Sequence, residues 1–340
     1  MKKKILIAND TIDSPNLGCQ LVSRSMRDLL DKYFPKYKKD YLSAFEEFTD
    51  KDMSEYSLVI VNGEGSLGPR EKNVSNIIKF IESAHNSGAK CALINASLFF
   101  AKFDVYSRVA PYFKMCDLVY ARENIAHKNF HRCGVNAKLG VDIGMHHCFQ
   151  ETPVARSDFM LVSGGSFFKK KDYQKRPFVS RSNGKITKLF RTITRNYGIT
   201  RAYVHSWPSR PHNDLDILSD VLGNENIIRV KSDSFESYLK YTRKAKVVFT
   251  GRHHGVVMAV GSATPVITYN ATLNKTYGDC LRYDIPDSYF NINASSVEWD
   301  DRIKQLAVDR IQIMEGMNLR IPEYKKSIDD MFKELVKLAE

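Results

Sequence analysis

An arginine followed by two adjacent histidines is the strongest chemical signal in this chain. Val247–Thr250 is an apolar run that reads as a strand, and Gly251-Arg252-His253-His254-Gly255 opens a helix directly after it. The first turn of a helix presents unpaired backbone N–H groups and the positive end of its dipole to an anion. Arg252 adds a planar, permanently charged fork that suits phosphate or carboxylate. A histidine titrates near neutrality and can deliver a proton there. Gly251 and Gly255 allow the backbone close to a ligand. The next strand, Pro265–Tyr269, leads into Asn270, Asn274 and Lys275, a further cation. Two histidines can also ligate a metal, but no carboxylate or third histidine lies near them in sequence, so none is expected.

Ligands of open α/β sheets bind beyond the carboxyl ends of the strands, so the polar residues after each apolar run come next. Ala8-Asn9-Asp10-Thr11 ends the first run, and Asn16-Leu17-Gly18 precedes a helix. This stretch lacks G-x-G-x-x-G and G-x-x-x-x-G-K-[ST], so neither a dinucleotide fingerprint nor a P-loop is supported. Asn62-Gly63-Glu64-Gly65-Ser66 follows Leu58–Val61. Its glycines permit close approach, and Glu64 can serve there as a general base towards a sugar hydroxyl, or it is an exposed carboxylate on a Gly-rich turn. Asn9, Asp10, Asn16, Gly63, Gly65 and Ser66 are the candidates for holding that acceptor. Arg122-Glu123, with Asp142 and Gly144 further on, reads equally well as an internal ion pair and a helix cap.

The elements that position these residues alternate along almost the whole chain. Strand-like runs at 4–8, 57–62, 90–96, 118–121 and 137–141 are separated by amphipathic stretches. The runs are continuously apolar, as in parallel sheets covered on both faces. After Gln150-Glu151-Thr152-Pro153 the pattern restarts with Phe159-Met160-Leu161-Val162 and continues through 201–205, 227–230, 247–250 and 265–269. At 340 residues the chain exceeds what one core usually serves. The expected fold is α/β: two Rossmann-like domains facing a cleft, residues 1–152 and 153–340, with a C-terminal helix over 324–339.

Net charge is +12, and ten of those charges lie between Lys169 and Arg201, where eleven basic residues meet one acid, Asp172. One segment is basic rather than the whole protein; residues 169–201 read as an insertion between the first two strands of the second domain, which favours a local anionic partner over a nucleic-acid coat. Within it, Ile186, Leu189, Phe190 and Ile193 recur at helical spacing, with Lys188, Arg191 and Arg195 on another face. Such a helix suits an anionic membrane surface, or it is a solvated face whose apolar side packs on its own domain. The six cysteines form no C-x-x-C pair, as expected of a reduced, cytoplasmic chain.

Together these stretches resemble the polysaccharide pyruvyl transferases. Members carry a strand, Arg-x-His at a helix start, a Gly/Ala-rich turn, a Pro-initiated strand and a Lys. The segment Ser232–Lys275 is similar, with Asp233-Ser234, Arg252-His253-His254, Gly261-Ser262-Ala263-Thr264-Pro265, Tyr269 and Lys275. Asn16-Leu17-Gly18, Gly63-Glu64-Gly65-Ser66, Arg122-Glu123 and Asp142 resemble further signposts. Gly18-Cys19 stands where the family often has Gly-Asp, and His253 stands where it usually has an apolar residue.

The resemblance implies a GT-B-like fold and transfer of a pyruvyl group from phosphoenolpyruvate to two hydroxyls of a sugar, closing a cyclic ketal without a cofactor or metal. Arg252, His253 and Lys275 would hold the donor, His254 would protonate its methylene, and Glu64 would deprotonate the acceptor. The acceptor would be a cell-surface polysaccharide or its lipid-diphosphate precursor, with residues 169–201 at the inner face of the membrane. Two other readings use the same anion site. One is a nucleotide-sugar glycosyltransferase, including one with a CMP-linked acidic sugar donor; the other is a carbohydrate- or membrane-binding scaffold without catalysis.

Overall fold

A computed structural model describes residues 4–45, 53–64, 67, 74–99, 103–149, 155–164, 177–206, 227–231, 234–269 and 275–340. The chain divides into two compact units. The first holds Met1–Ser14, Cys19–His146 and Glu323–Glu340; the second holds Pro15–Gly18 and His147–Pro322.

The first unit is built on β1 (Lys4–Asp10), α1 (Leu17–Tyr33), β2 (Lys38–Ser43), β3 (Leu58–Asn62), α2 (Ser75–Asn86), β4 (Lys90–Ala96), α3 (Phe103–Phe113), β5 (Leu118–Ala121), α4 (Asn124–Arg132) and β6 (Lys138–Leu139). Its six strands are all parallel in the order β2-β1-β3-β4-β5-β6. Leu58-Val59-Ile60-Val61 is fully buried, as a strand covered on both faces must be. The edge strand β2 was not anticipated. Its opening Lys38-Lys39-Asp40 looks polar, and that is how an edge strand is protected from pairing with another chain. Because the order turns back between β1 and β3, a crevice opens at their carboxyl ends, beside Asn9 and Asn62.

The second unit contains β7 (Phe159–Ser163), α6 (Pro177–Asn196), β8 (Arg201–Ser206), β9 (Ile227–Lys231), α7 (Phe235–Lys244), β10 (Val247–Thr250), α8 (His253–Gly261), β11 (Val266–Tyr269), α9 (Lys275–Arg282), β12 (Tyr289–Phe290) and α10 (Ser296–Val308); a short helix, α5 (Met145–Cys148), spans the division. The strand order is β12-β11-β10-β7-β8-β9, again parallel, with its reversal between β7 and β10. Ser163 and Thr250 therefore mark the second crevice. These two parallel α/β sheets fit the expected α/β class.

Two expectations need correction. The first concerns the last helix, α11 (Arg310–Ala339), which carries an internal proline at Pro322. Residues Glu323–Glu340 belong to the first unit, not to a 153–340 domain. Ile328, Met331, Phe332 and Leu335 are buried there. Tyr120 donates a hydrogen bond to Glu334 Oε2 at 3.0 Å, and Lys138 pairs with Glu334 at 2.7 Å. Of the joint expected near 150–157, residues 150–154 lie outside the described residues; the units divide between His146 and His147.

The second correction concerns the basic segment. Residues 169–176 lie outside the described residues, and α6 is no insertion: it is the crossover helix that joins neighbouring parallel strands β7 and β8. Ile186, Leu189 and Ile193 are buried in the core of the second unit with Ile303 and Leu306 of α10. The apolar face is thus occupied by protein and cannot insert into lipid. Lys188 and Arg191 are exposed, and Arg195 pairs with Asp300 at 2.6 Å.

Candidate active site

In the first unit, the ends of β1 and β3 are tied to each other. Asn9 has a left-handed backbone, φ 61°, and its Nδ2 donates to the Asn62 carbonyl at 2.6 Å. Asparagine tolerates this conformation better than most residues. Asn62 Oδ1 in turn accepts the Glu64 N–H at 3.1 Å, so Glu64 is held, buried, at the crevice. Gly63 is required by proximity: a Cβ there would lie 2.6 Å from the Ala96 Cβ at the end of β4. Gly63→Ala is expected to force β3 and β4 apart and cost about 1–3 kcal/mol, read as a lower urea midpoint.

Asn9, Gly63 and Glu64 therefore lie together at the ends of β1 and β3, and Asp10 and Asn16 are bonded within their own loops. Asp10 pairs with Arg27 at 2.5 Å and accepts the Ile12 N–H at 3.2 Å, which fixes the loop after β1. Asn16 accepts the Gly18 N–H at 2.9 Å at the start of α1. Gly65 and Ser66 lie outside the described residues.

Cys19, where a carboxylate is expected by resemblance, keeps a neutral thiol. Burial holds it well above the ordinary thiol range, and the charge of Glu64 and a hydrogen bond to it push further the same way. A neutral donor beside Glu64 avoids the repulsion of two carboxylates at close quarters.

Arg122, Glu123 and Asp142 make the ion pair and the helix cap that their sequence allows. Arg122 is 1% exposed; its Nε donates to Ser97 Oγ at 2.7 Å and its Nη1 meets Asp142 Oδ2 at 2.9 Å. The other oxygen of Asp142 accepts the Gly144 N–H at 2.8 Å. Glu123 caps α4, accepting the N–H groups of Ile125 and Ala126 at 2.7 and 2.8 Å. Ser97 is not among the sequence candidates, although it directly follows β4.

In the second unit, Arg252 is the residue before α8, with an extended backbone and no side-chain cap bond. His253 and His254 form the first turn, and from His254 to Gly261 every residue is buried. A helix apolar all round belongs in the interior, and its N-terminus is held at the carboxyl end of β10. Beneath it runs a chain of hydroxyls: Tyr238 to Ser163 at 3.1 Å, Ser163 to Thr250 at 2.6 Å, and the Arg252 N–H onto Thr250 Oγ1 at 3.0 Å. Gly255 is needed here, because a Cβ would fall 2.5 Å from Thr250 Oγ1.

The other end of α8 is clamped by Arg156, which donates to the carbonyls of Ser262 and Ala263 at 3.1 and 3.0 Å and to Thr264 Oγ1 at 2.6 Å. Burial among these neutral acceptors lowers its pKa to about 10.

His254 is 5% exposed, and the Gly18 backbone lies against its ring: a Cβ on Gly18 would sit 2.0 Å from Nδ1. That contact gives a physical reason for glycine in the Asn16-Leu17-Gly18 stretch. Lys275 opens α9, the next helix. Four residues later on α9 stands Asp279, wholly buried, whose Oδ2 is 2.6 Å from His253 Nδ1. No carboxylate lies near the histidines along the chain. Asp279 is 26 residues away along the chain, and only the packing of α9 on α8 brings it in. A direct bond of 2.6 Å leaves no room for an ion between that nitrogen and that oxygen.

The chemistry available is thus a rigid, cationic helix start with two imidazoles in the second unit, and a buried carboxylate at a strand crevice in the first.

Solved structures of similar fold are sugar-nucleotide enzymes. UDP-GlcNAc 2-epimerase from Neisseria meningitidis, bound to UDP-GlcNAc, aligns with a TM-score of 0.57 at 11% identity, covering 99% of this chain and 100% of that one. Arabidopsis thaliana UGT89C1 complexed with UDP gives 0.54 at 10% identity, covering 98% and 100%. UDP-GlcNAc 2-epimerase from Methanocaldococcus jannaschii gives 0.51 at 13%, covering 92% of each. At such identities the likeness establishes the GT-B fold and nothing finer. No curated protein matches the sequence. The profile of one family, described as polysaccharide pyruvyl transferase, matches residues 16–271, from the Asn16-Leu17-Gly18 turn through the Arg252–His254 helix start to the end of β11. With well over half its length matched, this chain belongs to the polysaccharide pyruvyl transferase family, a family of enzymes.

Proposed function

We propose that the enzyme takes phosphoenolpyruvate as donor and closes a pyruvyl ketal on two hydroxyls of a sugar in a cell-surface polysaccharide or its precursor. The observation that carries this reading is the start of α8, where Arg252 directly precedes the helix and two imidazoles stand in its first turn. Phosphoenolpyruvate bears a phosphate and a carboxylate. Arg252 and Lys275 are assigned to these groups, together with the N–H groups of the helix.

Bonding changes proceed in two stages. His254 gives a proton to the donor methylene, which becomes a methyl group and leaves the adjacent carbon electrophilic. A first sugar hydroxyl adds there and loses its proton, with Glu64 as the base. Phosphate then leaves with the C–O bonding pair, and the second hydroxyl adds and loses its own proton. Two protons leave the acceptor; one ends in the methyl group and one on phosphate. Incubation with labelled phosphoenolpyruvate and a set of hexosides is expected to give an acceptor heavier by one pyruvyl ketal, resolved by mass spectrometry. Label that never leaves the donor would refute the assignment.

The acceptor is proposed to be carried on a lipid diphosphate, and the exposed cations of α6 to attract the anionic membrane face by charge alone. Changing Lys188, Arg191 and Arg195 to Glu is expected to abolish sedimentation with anionic vesicles at low salt. Retained binding would remove α6 from the contact. Among the described residues no helix is long and apolar enough to cross a membrane.

A further inference from the structure

His253 is wired differently from His254, and the reaction has a proton for which the family reading names no donor. The Nδ1 of His253 is 2.6 Å from Oδ2 of a carboxylate that is wholly buried. Among the described residues, Oδ1 of Asp279 has no hydrogen-bond partner, and it is Oδ2 that meets this imidazole. A carboxylate on one ring nitrogen fixes which nitrogen carries the proton, holds the ring in place and stabilises positive charge on it. The proton is then exchanged at the opposite nitrogen, Nε2. The two rings are adjacent, with centroids 4.6 Å apart at 69°, and both stand in the first turn of α8 beside Arg252.

We infer that His253, positioned by Asp279, is the acid that protonates the departing phosphate, while His254 serves the methylene. The inference rests on the pyruvyl-transfer reading and extends it by dividing two proton deliveries between two histidines. In the step assigned to His253, the bond between the ketal carbon and the bridging oxygen breaks. Its electron pair goes to that oxygen, and the Nε2 proton joins it to give hydrogen phosphate. The neutral ring regains a proton from the second hydroxyl, through solvent, as that hydroxyl closes the ketal. Asp279 touches no reacting atom and acts only through His253.

The test separates the two proton transfers. In D2O with acceptor present, His253→Gln is expected to slow phosphate release by at least about 10²-fold. Deuterium should nevertheless enter the methylene of recovered phosphoenolpyruvate, because the first addition still occurs and reverses. Asp279→Asn is expected to slow release similarly and to erase a far-downfield Nδ1–H proton resonance, assigned by its loss in His253→Gln. Loss of deuterium exchange together with release in His253→Gln would overturn the division of labour, as would unchanged release. An intact downfield resonance in Asp279→Asn would overturn the role of Asp279. A wild-type enzyme that releases no phosphate from phosphoenolpyruvate would sink the parent reading; the assignment alone fails only where the wild type is active.

Discussion

Replacing His254 by asparagine is expected to lower the turnover of phosphate release by roughly 10²- to 10⁴-fold, the usual contribution of a positioned acid. Asparagine retains a polar atom near the place of Nδ1, against which the Gly18 backbone packs, so folding should survive. Arg252→Ala should behave differently, raising KM for the donor, because a charge contact made before and during reaction contributes mainly to binding. Steady-state kinetics on both variants checks the distinction. A His254 variant with unchanged turnover would show that the methylene proton comes from elsewhere.

The second large effect concerns stability. Asp142→Ala leaves Arg122 charged, 1% exposed and deprived of the carboxylate 2.9 Å from its Nη1. Removing one member of a buried pair typically costs about 3–5 kcal/mol. The variant is expected to show that loss in urea unfolding of the first unit. The double variant Arg122→Met with Asp142→Leu should recover much of it, since the desolvation penalty disappears with both charges. A loss under about 1 kcal/mol in Asp142→Ala would mean that the pair is hydrated and contributes as little as a surface bridge.

Legibility in the sequence followed the physics of each element. Buried parallel strands are continuous apolar runs, so β1, β3, β4, β7 and β10 could be read directly, and their carboxyl ends then pointed to Asn9, Glu64 and the Arg252–His254 turn. β2 could not, because an edge strand carries charge. Asp279 could not either, since a contact across 26 residues depends on how two helices pack. The α6 helix shows a third limit. Helical periodicity reports that Ile186, Leu189 and Ile193 share a face, but not whether that face meets lipid or protein. Here it meets protein.

The central claim is the donor, and phosphate release from phosphoenolpyruvate, assayed with and without α- and β-linked hexosides, tests it most directly. The account predicts release that requires an acceptor and, at donor concentrations well below the raised KM, is largely lost in Arg252→Ala. No release with any acceptor, together with a thermal shift on adding CMP or UDP, would contradict it: the helix start would remain an anion site, and the donor would be a nucleotide sugar.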